Sequence, residues 1–136
     1  ASAGWKDGSL RLWNLAAEKP LQTDLKEFKD VVTAVEFEPD GKRLAVGVID
    51  GKVRFYTVAD GKLKEDKVVP VKMDKIAAMR FTPKGDALVL RMLDPIEDKL
   101  LVITTDGKLR HEGSYGQHIE GIAVAPDGRH IAVVHE

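Results

Sequence analysis

The residues of this chain that could do chemistry are few and scattered. Its histidines are at positions 111, 118, 130 and 135. His118 and Glu120 would share one strand face, with His111 in the preceding strand, and three such ligands could hold zinc. The repeat described below places these residues on strands that spread apart. We therefore expect exposed polar side chains here and predict no metal site.

Carboxylates are grouped at one place, where Asp94, Glu97 and Asp98 lie in a single loop. Clustered loop carboxylates can bind calcium, but the Asp-x-Asp-x-Asp-Gly spacing of a calcium loop is missing. The prediction is a solvated loop or a partner contact, and Asp94 is the residue that we select as a candidate contact.

The sequence also shows no motif for a catalytic nucleophile and no phosphate-binding loop. Ser9 and Ser114 lie in no Gly-x-Ser-x-Gly elbow, and no Ser/His/Asp grouping is apparent. Glycines 41, 51, 61 and 107 occupy turns rather than a phosphate-binding motif. We therefore expect no catalysis and no cofactor.

The amino-acid composition argues against two classes of partner, nucleic acids and membrane surfaces. The 136 residues include 21 basic and 22 acidic side chains, a net charge of −1, and no cysteine. Nucleic-acid and membrane-surface proteins usually carry a basic excess or patch, so neither partner is expected. No apolar run approaches the ~18 residues of a membrane span. With no signal peptide visible, the expectation is a cytoplasmic protein.

A repeated sequence motif says more about this chain than any candidate site does. Residues 36–41, 80–85 and 123–128 each end an apolar strand and enter a Pro-x-Gly turn, about every 43 residues. In the middle copy, strands are predicted at 31–38, 44–49, 53–58 and 63–69, joined by glycine turns. Alternation in the first of these strands predicts one face of Val31, Thr33, Val35 and Phe37, and another of Val32, Ala34 and Glu36.

Four antiparallel strands in about 43 residues make one blade of a β-propeller. The predicted fold is all-β, with about three such blades. Its segments are a partial blade at 1–30, blades at 31–73 and 74–117, and the first two strands of a further blade at 118–136. Residues 20–28 would also suit a short amphipathic helix, but their position favours an outer strand. The ring is incomplete, so we expect another chain or a missing part to complete it.

Two segments resemble a known family. Residues 5–15 look like the end of a WD40 repeat, and residues 37–47 resemble the opening of the next one. The Trp-Asp pair of the family is represented by Trp13-Asn14 and by Tyr56-Thr57, and the Gly-His pair is replaced, at Glu27-Phe28 for example. The resemblance implies a protein-interaction scaffold.

The family geometry implies where a partner would bind. Loops between blades and loops between second and third strands share one rim of the ring. The candidate partner contacts on that rim are Trp5, Phe28, Ile49 and Tyr115, together with Asp94. Packing between adjacent blades is the alternative role for the apolar ones.

Three functions remain open at this point. The leading one is a non-catalytic scaffold that binds a protein partner. The second is a structural piece, from a split or engineered propeller, whose partner is more propeller, including a further copy of itself. The third is a fragment of a hydrolytic or quinoprotein propeller. Its channel ligands would come from Thr33, Glu36, Arg80, His118 and Glu120, which form no repeated ligand set.

Overall fold

The structure is a computed structural model that describes residues 2–3, 8–19, 21–71, 75–115 and 118–135. These residues form strands and connecting loops, and among them there is no helix that could span a membrane. The predicted all-β class is confirmed. The strands are β1 (Ser2–Ala3), β2 (Ser9–Asn14), β3 (Leu21–Glu27), β4 (Val32–Phe37), β5 (Arg43–Val48), β6 (Lys52–Ala59), β7 (Lys62–Pro70), β8 (Ile76–Phe81), β9 (Ala87–Met92), β10 (Lys99–Thr104), β11 (Leu109–Ser114), β12 (Ile119–Val124) and β13 (Ile131–His135).

Each sheet is an antiparallel meander in which neighbours in sequence are neighbours in space. The second and third sheets have four strands each, β4–β7 and β8–β11. The first sheet contains β1–β3 and the last contains β12 and β13. Four-stranded meanders of this kind are propeller blades, as predicted. β3 forms the outer strand of the first sheet, so the strand prediction for this segment is confirmed over the helical alternative.

The three Pro-x-Gly turns have one geometry. Gly41, Gly85 and Gly128 have φ of 72°, 70° and 69°. In each turn the glycine N–H donates to the carbonyl three residues earlier, at 2.8 Å. Positive φ is accessible to glycine without a steric penalty, which explains its place in the repeated motif.

The predicted strict alternation along the first strand of a blade is wrong. Val32 pairs with Val48, but Ala34 pairs with Gly47, so the residue between them forms a β-bulge. The bulge turns Val32 and Val35 towards the same apolar core. The same shift recurs in β8 and β12. It brings together Ile76 with Met79, and Ile119 with Ile122.

Three apolar cores lie in the seams between successive sheets, and we number these seams from the first sheet. Leu10 and Leu12 pack against Leu44 and Tyr56 in the first seam. Neighbouring β6 residues alternate, because Val53 and Phe55 face the second seam while Tyr56 faces the first. The third seam contains Val89, Leu100, Ile119 and Ile122. Each middle blade is thus buried on both faces.

Candidate functional site

Alternating strand directions place the loops on two opposite rims. The "loop rim" comprises residues 28–31, 49–51, 93–98, 115 and 118, and the "turn rim" comprises 15–19, 38–42, 60–61, 82–86, 105–108 and 125–130. Backbone hydrogen bonds fasten the loop rim. Phe28 N–H donates to the Gly8 carbonyl and Ile49 N–H donates to the Val31 carbonyl, both at 2.9 Å. These bonds tie the loops to the ends of the strands in their own sheets.

The structure places four of the five predicted contact residues on the loop rim. Phe28 is half-buried, and its ring meets Tyr56 edge-on at 6.2 Å between centroids. Ile49 and Tyr115 are 39% and 42% exposed. Phe28 and Ile49 come from the first and second blades, whereas Asp94 and Tyr115 come from the third. Trp5 lies outside the described residues.

Asp94 shapes its own loop. Its Oδ1 accepts the Ile96 N–H at 3.0 Å, and Lys99 Nζ lies 3.9 Å from its Oδ2. The bond from Ile96 is the main cause that lowers the Asp94 pKa. Ile96 itself is 87% exposed, and sequence reasoning overlooked it. The available signal was an isoleucine inside an otherwise polar, enlarged turn.

The solvated-loop prediction is wrong for Asp98, whose side chain is fully buried. Its Oδ2 accepts the Ile119 N–H at 2.9 Å and ion-pairs with Arg91 Nη2 at 3.0 Å. Burial acts to raise the pKa of Asp98, but these donors outweigh it and hold the pKa below its ordinary value. Asp98 therefore links the third blade to β12 of the next sheet, and we call its contacts with Arg91 and Ile119 the Asp98 clasp.

The histidines are not arranged as metal ligands in the described part of the chain. His118 Nδ1 lies 3.6 Å from Asp98 Oδ1, a buried oxygen that accepts no hydrogen bond from any described residue. Among the described residues, no group of three or more His, Asp or Glu side chains could hold a metal ion. His118 belongs to the edge of the Asp98 clasp.

In the described residues, an ion pair joins the inner strands of the second and third blades. Arg80 Nη1 lies 3.4 Å from Glu36 Oε2, and the two residues occupy the same place in successive repeats. Partial burial raises the pKa of Glu36, and Arg80 opposes that shift. Thr33 donates to the Gly47 carbonyl of its own blade at 3.3 Å. These inner-strand candidates are used in packing and pairing.

Two cavities lie at blade junctions. One of about 280 Å³ opens at the loop rim of the first seam and is bounded by residues 26–30 and the second blade. The other, about 300 Å³, lies at the turn rim of the third seam, between residues 82–86 and 126–129. Arg110 spans part of the second cavity through a 2.9 Å ion pair with Asp86.

Comparison with known proteins agrees with this geometry. The profile of the family described as "Anaphase-promoting complex subunit 4 WD40 domain" matches residues 2–84. The chain belongs to the WD40 family. The resemblance inferred from the repeat is thereby confirmed, and WD40 domains as a class mediate protein interactions.

Two curated relatives and one solved structure illustrate the likeness. Periodic tryptophan protein 2 of Arabidopsis thaliana is 40% identical over 63 residues, which are 46% of this chain and 7% of that protein. WD repeat-containing protein 1-B of Xenopus laevis is 28% identical over an alignment of 120 residues that covers 79% of this chain and 19% of that protein. A candidate 6-phosphogluconolactonase from Bacteroides uniformis superimposes with a TM-score of 0.78 at 16% identity, covering 95% of this chain and 41% of that one. That likeness shows the fold alone.

Proposed function

We propose that this WD40 chain is a non-catalytic scaffold segment that binds another protein through its loop rim. The observation that carries the proposal is the exposure of apolar side chains on one rim. Ile49, Ile96 and Tyr115 are 39%, 87% and 42% exposed, and each lies on a loop of this rim. Aromatic and aliphatic side chains on such loops are suited to anchor a partner.

The absence of a catalytic role is part of the same proposal. In the described residues, the most deeply buried carboxylate, Asp98, is engaged by Arg91 and the Ile119 N–H. The inner-strand residues Glu36 and Arg80 pair with each other. Neither arrangement leaves a general base beside a nucleophile, which supports a binding role over hydrolysis.

Matched substitutions on the two rims test the proposal. Ile96→Asp changes the loop rim, and Leu15→Asp changes a side chain of similar exposure, 79%, on the turn rim. Loss of an anchoring side chain should weaken partner binding about tenfold or more. Quantitative affinity purification from the native source should therefore show partners lost with Ile96→Asp and retained with Leu15→Asp. Equal retention by both variants, or loss with Leu15→Asp alone, would refute the proposal.

A second role, as part of a larger propeller, is favoured by Trp13. Trp13 and Tyr56 hold the same repeat position, facing the preceding blade. Tyr56 is covered by Phe28 and is 5% exposed, whereas Trp13 is 37% exposed. We propose that further propeller blades, from a longer chain or another copy, cover Trp13, with blade limits at 31–73 and 74–117. In a Trp5→Phe background, which leaves Trp13 as the single tryptophan, burial of Trp13 on assembly should shift the fluorescence to the blue, and an unchanged spectrum in the assembled protein would count against this role.

A further inference from the structure

The cavity at the loop rim of the first seam has polar walls. Residues 26–30 of the first blade close one side of its 280 Å³. Arg54, Tyr56 and Glu65 of the second blade form the other side. Phe28 supplies an aromatic edge against Tyr56. These polar side chains lie beside the apolar core of the same seam, which includes Leu10 and Leu44.

The repeat register shows how far this junction departs from its neighbour. When β10 is aligned with β6, Lys99 corresponds to Lys52. In this alignment Leu101 occupies the position of Arg54, and Ile103 occupies the position of Tyr56. Leu101 and Ile103 are almost fully buried in the second-seam core, beside Val71. The second seam is therefore closed by aliphatic side chains at the same positions where the first seam is polar.

The polar set does not improve the packing of the seam. Arg54 Nε is buried and has no hydrogen-bond partner among the residues that the structure describes. The Arg54 guanidinium reaches Asp50 only at 3.5 Å and Glu65 only at 3.7 Å. Burial, followed by the charge of Glu65, raises the pKa of Tyr56 to about 12. Because partly exposed ion pairs contribute little to stability, stability alone gives no reason to prefer this polar set to the leucine and isoleucine of the next blade.

The charges around the cavity indicate which occupant it fits. Three cationic and three anionic side chains line it, so a charged occupant would meet a like charge: Lys26, Lys29, Arg54, Glu27, Asp30 and Glu65. Arg54 offers only donors, and Glu65 offers only acceptors. A side-chain amide satisfies both, since it carries a carbonyl acceptor and an NH₂ donor on one neutral group.

We propose that this cavity binds the side chain of a glutamine or asparagine from a partner protein segment, with the amide carbonyl accepting from Arg54 and the amide NH₂ donating to Glu65. The inference rests on the protein-binding role proposed above and assigns a recognition chemistry to part of the loop rim. Phe28 and Tyr56 pack against the aliphatic stem of the bound side chain.

Four short peptides test the chemistry directly. The probe is acetyl-Ala-Leu-Gln-Leu-Ala-amide, compared with the same peptide carrying Met, Glu or Lys at the centre. Each is titrated into the 136-residue chain while ¹⁵N NMR follows the Arg54 Nε–H and the backbone amides of residues 26–30. The glutamine peptide should shift these signals and bind about tenfold more tightly than the other three. Equal binding of the methionine peptide, tighter binding of a charged peptide, or no binding by any of them would overturn the proposal.

Two substitutions copy residues from the next blade, so we expect the variants to fold and a loss of binding to report on the cavity. Arg54→Leu and Glu65→Leu install residue types that the repeat already accommodates at the corresponding positions, Leu101 and Leu109. Each should weaken glutamine-peptide binding about tenfold, whereas Arg110→Leu in β11, at the cavity of the third seam, should not. If Ile96→Asp abolishes partner capture while Arg54→Leu changes neither capture nor peptide binding, the cavity proposal fails and the loop-rim function stands. If neither Ile96→Asp nor Arg54→Leu reduces capture, the loop-rim function fails as well.

Discussion

Removing the Asp98 carboxylate should loosen the junction between the third and last sheets. In Asp98→Ala, the Ile119 N–H loses its acceptor at 2.9 Å and Arg91 loses its ion-pair partner at 3.0 Å. Breaking a buried pair by removing one partner costs about 3–5 kcal/mol. Arg91 retains some contact with water, which places the expected loss of unfolding free energy near the lower end, about 3 kcal/mol.

Two further variants separate the contributions. Asp98→Asn keeps an oxygen acceptor for Ile119 but removes the charge, so we expect a smaller loss of about 1–2 kcal/mol. Asp94→Ala, in the same loop, removes a partly exposed carboxylate and its hydrogen bond from the Ile96 N–H, and should destabilise the chain less than Asp98→Ala does. Urea unfolding followed by circular dichroism measures all three, and hydrogen exchange at Ile119 reports the local opening. A loss in Asp98→Ala no larger than that in Asp94→Ala would refute the buried clasp.

The stability that the Asp98 contacts contribute should depend on pH in one direction. The pKa of Asp98 is lower in the folded chain than its ordinary value, so the unfolded state binds more protons near pH 4. Its contribution to stability is present above the ordinary carboxyl pKa of about 3.9 and is lost as pH falls through the lower folded pKa. The difference in unfolding free energy between the wild type and Asp98→Asn should therefore shrink on acidification below about pH 4.

Three other perturbations have expected results. Gly8→Ala and Gly41→Ala both place alanine at positive φ, but only at Gly8 would the new Cβ meet a backbone carbonyl oxygen, at 2.7 Å. Urea unfolding should show a loss of about 1 kcal/mol for Gly41→Ala and at least about 2 kcal/mol for Gly8→Ala, and equal losses would contradict this packing. Ultraviolet titration should show one phenol ionising near pH 12, and that transition should vanish in Tyr56→Phe. Because the raised pKa belongs to the folded state, the stability that Tyr56 adds is lost as pH rises through that value. Arg80→Ala removes a partly exposed ion pair with Glu36 and should cost less than about 1 kcal/mol in the same urea assay.

Much of the fold was predictable because its signals are local. The Pro-x-Gly turns and the Asp-Gly hairpin at Asp50 depend on a few adjacent residues, and their spacing gives the blade. The bulge in β4 was missed because the sequence between Val32 and Ala34 carries no glycine or proline to mark it. Only the recurrence of paired apolar residues three apart, as in Ile76 and Met79, could have indicated it.

The site was less predictable because it depends on contacts between blades. Asp98 lies in a polar loop, and nothing local shows that its carboxylate turns inward to an amide 21 residues later. The polar cavity likewise appears only when Arg54 is aligned with Leu101 in the next repeat and both are placed in their seams. By contrast, the position of Phe28 and Ile49 at one edge of the sheets was predictable, because strand direction alone decides which loops share an edge.

The most direct test of loop-rim binding is hydrogen–deuterium exchange of the chain alone and in complex with a captured partner. The proposed function predicts slower exchange on binding at residues 28–31, 49–51 and 93–98 of the loop rim. The turns at 38–42, 82–86 and 125–130 should exchange at unchanged rates. Protection confined to those turns, with unchanged exchange on the loop rim, would contradict the proposal.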